Sequence, residues 1–198
     1  MLASDYRERA WDALRGKWGT MALVTLIYAL IVSACSAILA AGQVATILVT
    51  GPFALSLAVM ALTVLRGGEV KVEMLFDGFR NFVSAFLLQL INNLLVALWS
   101  LLFVVPGIVK AYSYAMSTYI LADNPEMSQR DCRKESMRMM QGHRWRLFCL
   151  QFSFIGWWLL CILTCGILTF WVVPYVNAAT AAFYEDLKAR RVYTSTEE

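Results

Sequence analysis

The sequence predicts an all-α membrane protein: six transmembrane helices as three helical hairpins, with short interfacial amphipathic helices. The charge pattern is the first observation behind this. No charged side chain occurs from Trp18 to Leu65 or from Leu147 to Tyr184, and between Asn81 and Ala122 there is one, Lys110. The second is length. A ~30 Å hydrocarbon core needs roughly 20 apolar residues per helix, so each stretch fits a hairpin better than a single span. The third is composition: 60% hydrophobic residues, 16% charged, and a mean hydropathy of +0.60, far from a soluble domain of this size.

Taken in order, residues 3–15 read as an amphipathic helix with Tyr6, Ala10, Ala13 and Leu14 on one face. The hairpins then cover about 20–65, 82–122 and 147–186, with spans at 20–41, 44–65, 82–104, 107–122, 147–164 and 167–186. Gly42, Pro106-Gly107 and Cys165-Gly166 are the expected turns. Pro52 and Pro174 fall inside the second and sixth helices, where neighbouring helices must satisfy the carbonyls that proline frees. A cytoplasmic connector spans 123–146. Its residues 128–141 read as a second interfacial helix, with Ser128 as N-cap and Cys132, Ser136, Met139 and Met140 on the less polar face. Residues 192–198 read as a disordered tail. The whole of 1–198 is one integral membrane domain, with no length left for a soluble one.

Orientation follows from the basic residues. Of the 17 Lys and Arg, 16 lie in the segments before, between and after the hairpins. These must share one side, which the positive-inside rule makes cytoplasmic, with both termini inside a cell membrane. The expected partners are membrane lipids with anionic headgroups, not nucleic acid. A cleaved signal is not expected. Asp5, Glu8 and Asp12 are foreign to a signal n-region, and the run after Trp18 is too long for an h-region. Val32-Ser33-Ala34-Cys35 loosely resembles a lipoprotein box, but more apolar sequence follows it.

Each hairpin is entered through a glycine, a basic residue and an aromatic: Gly16-Lys17-Trp18, Gly78-Phe79-Arg80-Asn81-Phe82 and Gly142-His143-Arg144-Trp145. Two readings stand for this near-constant spacing: a threefold internal repeat, or similar interfacial constraints met three times. In either, Lys17, Arg80 and Arg144 are candidate headgroup contacts. Lys110 either snorkels to the outer headgroups or faces an outer vestibule.

The residues point away from enzymology. One histidine, His143, cannot make a zinc pair, and neither a phosphate loop nor a Gly-x-Ser-x-Gly elbow occurs. No carboxylate lies in the interior of a predicted span, Glu185 and Asp186 standing at the inner end of the sixth, and the cysteines (Cys35, Cys132, Cys149, Cys161 and Cys165) include no CxxC. No cofactor or metal is expected. Cys161 and Cys165 read as packing residues. The most unusual intramembrane group is Gln89, Asn92 and Asn93, one flank of the third helix. These amides must face protein or a wet cavity, as interhelical glue or as a polar site joined by Gln151, Ser153 and Asn177, with Tyr112, Tyr114 and Tyr119 available to line it.

The wording is most distinctive from Leu98 to Lys110 (Leu98-Trp99-Ser100-Leu101-Leu102-Phe103-Val104-Val105-Pro106-Gly107-Ile108-Val109-Lys110). It is followed by Tyr112-Ser113-Tyr114-Ala115-Met116, Phe152-Ser153-Phe154-Ile155-Gly156-Trp157 and Pro174-Tyr175. Over roughly residues 3–187 the chain resembles the bacterial integral membrane proteins called domain of unknown function 975. That resemblance implies a polytopic membrane fold and carries over no catalytic residue, substrate or cofactor. The favoured function is a non-enzymatic membrane protein acting through lipid or protein partners. The alternative is a small-molecule or ion transporter or channel built on the polar amides, and a lipid-modifying enzyme has the least support.

Overall fold

A computed structural model describes residues 3–36, 39–102, 104–164 and 166–196, and the secondary structure among these is helical throughout. α1 (Ala3–Leu14) turns through Gly16, at φ +78°, into α2 (Trp18–Ser36), with 96° between their axes. α3 (Leu39–Leu65) follows, then a 3-10 helix (Val72–Phe79), α4 (Phe82–Leu102), α5 (Val104–Tyr114) and α6 (Ser117–Asp123). α7 (Gln129–Met139), α8 (Arg144–Phe152), α9 (Ile155–Leu163) and α10 (Thr169–Thr196) complete the chain.

α3 and α10 form the centre. On α10, Ala178, Ala179, Ala181 and Ala182 are fully buried, a flat strip against which α1, α2 and α3 approach closely. Phe53 and Met60 of α3, Met116 and Leu121 around α6, and Phe183 of α10 fill the space between. Three short elements close this end: α1 packs on α10, the 3-10 helix on α3, and α7 on α6. At Gly78 a β-carbon would stand 2.0 Å from the Pro52 carbonyl oxygen, so only glycine lets the 3-10 helix seat on α3. The same holds at Gly107, where a β-carbon would meet Ser100 Oγ at 2.1 Å across the α4–α5 hairpin.

Away from this core, α4 and α9 present apolar side chains outward, among them Leu94, Leu98, Leu101, Leu159, Ile162 and Leu163. Among the described residues, two helical stretches are long and apolar enough to cross a membrane, Phe82–Leu101 and Arg144–Leu163, or three if the bent pair of α1 and α2 makes one span. This is fewer than six. The fourth predicted helix is broken at Ala115-Met116, and the fifth, although long enough as one stretch, at Ser153-Phe154 between α8 and α9.

Several expectations are corrected in detail. Gly42 lies inside α3 and does not turn the first hairpin; α2 ends at Ser36 and α3 begins at Leu39. Pro106 and Gly107 lie in the first turn of α5, where proline needs no intrahelical donor, rather than between α4 and α5. Gly166, at φ +86°, does turn the third hairpin. α10 continues as helix to Thr196 where a disordered tail was expected from 192; Arg190, paired one turn back with Asp186 at 3.0 Å, helps carry it on. The apolar faces of both predicted surface helices are real, since Tyr6, Ala10, Leu14, Cys132, Ser136 and Met140 are buried. They are buried against the protein itself, because Asp186 and the Ser113 carbonyl accept hydrogen bonds from Tyr6 and Ser136. Ser128 stands at the N-cap of α7 without a side-chain capping bond.

Candidate functional site

The core's charged rim is built where α3 and α6 end beside α10. Arg66 follows the last residue of α3, and its Nη2 lies 2.7 and 3.0 Å from the two Asp123 oxygens and 2.7 Å from Glu185 Oε1. Lys188 Nζ reaches Asp123 Oδ2 at 2.6 Å, and the Tyr184 hydroxyl donates to the same oxygen at 3.1 Å. Asp123, with a side chain only 6% exposed, is therefore the hub joining α3, α6 and α10. Burial pushes its carboxyl up, but the bonds from Lys188 and Arg66 outweigh burial and hold it below the ordinary carboxylate range.

A second hub lies one residue further along α10. Asp186 accepts from Tyr6 at 2.6 Å, Arg190 at 3.0 Å and Arg146 at 3.1 Å, tying α1 and α8 to α10. Arg146 also donates to the Tyr6 hydroxyl and lies over the Phe183 ring at 5.7 Å. Burial and the bond to Asp186 raise the Tyr6 hydroxyl well above its usual range. Consecutive residues on a helix point about 100° apart, so Glu185 and Asp186 serve different networks. His143 is pulled down by burial and by Arg146 and Arg190, which keeps it neutral at pH 7.

Beside α1 lies a two-part cleft. Trp11, Trp18, Trp157 and Trp171, from four different helices, surround Tyr175 and line an apolar cavity of about 530 Å³. Trp18 and Trp157 stand 6.2 and 6.1 Å from the Tyr175 ring, and Trp11 5.7 Å. Trp11 and Tyr175 also wall a second, polar cavity of about 460 Å³, lined by Arg7, Glu8, Asp12 and Arg15.

A family model described as "Protein of unknown function (DUF975)" matches residues 1–113 and 101–191. The chain belongs to the DUF975 family. No curated protein and no solved structure matches it.

In this DUF975 chain the predicted amides do not converge. Asn92, buried, donates to Ser117 Oγ at 2.9 Å, and Ser117 donates to the Tyr114 carbonyl, pinning the α5–α6 break. Gln89 and Asn93 bond one another at 3.2 Å on a more exposed face. Gln151 accepts from Tyr112 at 2.8 Å, Ser153 donates to the Leu150 carbonyl, and the Asn177 backbone carbonyl accepts from Tyr119. Lys110 sits 5.3 Å from the Trp99 ring in the α4–α5 hairpin. Lys17 turns inward, donating to the Gly68 carbonyl at 2.6 Å, where Gly67 (φ +79°) ends α3. Arg80 lines a third cavity, of about 380 Å³, with Asp77 and Asn81, and Arg144 is partly buried. Cys132 and Cys161 are buried free thiols and Cys149 an exposed one; the side chains of Cys35 and Cys165 lie outside the described residues.

The sequence reading missed Asp123 and Asp186 as hubs, and the tryptophan cleft. The first left a signal: acidic residues stand at the ends of two apolar runs, after Ala122 and Tyr184. The cleft left none, because its walls come from helices far apart in the chain.

Proposed function

We propose that this is a multi-pass protein of the cell membrane that works without catalysis, by engaging lipid or protein partners from a rigid cytoplasmic end. The observation that carries it is the division of the surface. Apolar side chains face outward along α4 and α9, while Arg66, Asp123, Glu185, Asp186 and Lys188 gather at one end. Exposed apolar faces of that extent fit lipid, and the Lys and Arg gathered before, between and after the hairpins fit the cytoplasmic side. In this reading the three hairpins give six crossings with both termini inside.

A threefold repeat has further support. Each short surface element packs on the closing helix of the preceding hairpin, cyclically: the 3-10 helix on α3, α7 on α6, and α1 on α10. Ten residues before Arg66, Asp123 and Glu185 stand Ser56, Ser113 and Tyr175. Each of these bonds its surface element: Ser56 Oγ accepts from the Gly78 N–H, the Ser113 carbonyl from Ser136, and Tyr175 donates to the Arg7 carbonyl. The transport alternative rested on amides sharing one cavity; they form separate pairs, and no specific observation favours it.

Two measurements test this. The protein is expected to stay in the membrane pellet through alkaline carbonate extraction. In a cysteine-free background, Ile167→Cys is expected to react with an impermeant maleimide in intact cells, and Gln129→Cys only after permeabilisation. Equal labelling of both in intact cells removes the topology, and release by carbonate removes the membrane reading.

A further inference from the structure

We infer that the cleft beside α1 is a binding site for a zwitterionic aminophospholipid of the phosphatidylethanolamine class. The inference rests on the membrane reading above and names the ligand chemistry. The two cavities share Trp11 and Tyr175 as a common wall, so polar and apolar volumes adjoin, as the head and chain of a lipid do. The apolar part, at about 530 Å³, is within the ~300–1,000 Å³ typical of small-molecule sites. It extends along α10 from Tyr175 past Trp171 to Leu168, away from the charged rim. A chain lying there points into the bilayer while its headgroup stays beside α1.

The polar part sets the class of headgroup. It holds two cations and two anions, so its formal charge is zero. Arg15 and Asp12 pair with each other at 3.3 Å, which leaves Arg7 and Glu8 as the groups free to meet a ligand. Arg7 is packed over the Phe154 ring at 5.6 Å, and its Nε is buried with no hydrogen-bond partner among the described residues. Arg7 also lines the polar cavity, where its guanidinium can donate to a phosphate oxygen in charge-assisted bonds. Glu8 is exposed and makes no ion pair among the described residues. It suits a primary ammonium, which donates three N–H bonds. A trimethylammonium cannot donate, and an anionic headgroup without an ammonium leaves Glu8 facing like charge.

The test is native mass spectrometry of the full chain released from nanodiscs of equal parts phosphatidylethanolamine, phosphatidylcholine and phosphatidylglycerol. Wild type is expected to retain phosphatidylethanolamine selectively. Glu8→Gln, an exposed change that leaves packing intact, is expected to cut that selectivity about tenfold, the equivalent of one charge-assisted hydrogen bond. Arg7→Gln and Trp171→Ala are each expected to lose most of the retained phosphatidylethanolamine, with neither of the other two lipids taking its place. Wild type that holds phosphatidylglycerol or phosphatidylcholine as well as phosphatidylethanolamine overturns the inference, as does Glu8→Gln with unchanged selectivity. In both cases the membrane reading survives, because the protein has entered the bilayer. A chain that fails to enter nanodiscs at all removes both.

Discussion

At the scale of single residues, Asp123 is the side chain on which most depends. It is nearly buried and accepts from Arg66, Lys188 and Tyr184, and removing one partner of such a group costs more than the pair contributes. Asp123→Asn is expected to destabilise the protein by about 2–3 kcal/mol, the range of a lost charged hydrogen bond. Lys188→Gln is expected to cost under about 1 kcal/mol, because that cation is half-exposed and screened. Thermal unfolding in detergent distinguishes them, and equal effects would deny Asp123 its role as hub. The pH dependence follows in sign. The folded carboxyl lies below its ordinary 3.8, so the folded state binds fewer protons than the unfolded one. Its contribution is complete above about pH 4 and is lost as pH falls through the folded value. The gap in melting temperature between wild type and Asp123→Asn is expected to narrow below pH 4; a gap constant down to pH 3 contradicts this.

At the scale of elements, close approach matters more than propensity. Gly78 and Gly19 look alike in sequence, yet a β-carbon at Gly78 strikes the Pro52 carbonyl while at Gly19 it meets nothing within 4 Å. Gly78→Ala is expected to destabilise by about 1–3 kcal/mol through overpacking, and Gly19→Ala to stabilise slightly by removing a glycine from the first turn of α2. Two changes of the same sign would show that the 3-10 helix is not seated against α3. Much of this level was legible beforehand. The amphipathic faces of α1 and α7 came from spacing alone, since burying Tyr6, Ala10 and Leu14 needs only helical periodicity. What covers those faces was not legible, because the alanine strip of α10 is about 170 residues away from α1 in the chain.

At the scale of the molecule, packing is uneven. The densest part lies near residues 53–64, 116–121 and 175–187, bounded by the two ion networks, whereas α9 is largely exposed. Amide hydrogen exchange in detergent is expected to be slowest in those three stretches and faster in α9, since local stability follows buried contacts. Slower exchange in α9 would place the stable unit elsewhere. The amides Gln89, Asn92 and Asn93 teach the same point from the other side. Their spacing put them on one flank, but a flank is wider than a site. Asn92 turned to Ser117 while Gln89 and Asn93 satisfied each other.

The sequence by itself determined the helical class, the family, the helical pieces and the gathering of charge at their ends, because each depends on local composition and on a period a few residues long. Only the tertiary structure decided which ends meet. Arg66, Asp123 and Glu185 lie 57 and 62 residues apart, and Trp11 and Trp171 lie 160 apart. Nothing in hydropathy or helical spacing orders helices around an axis. That order comes from the shapes of Gly78 and the α10 alanines, and from the requirement that buried Asp123 and Asp186 find cations.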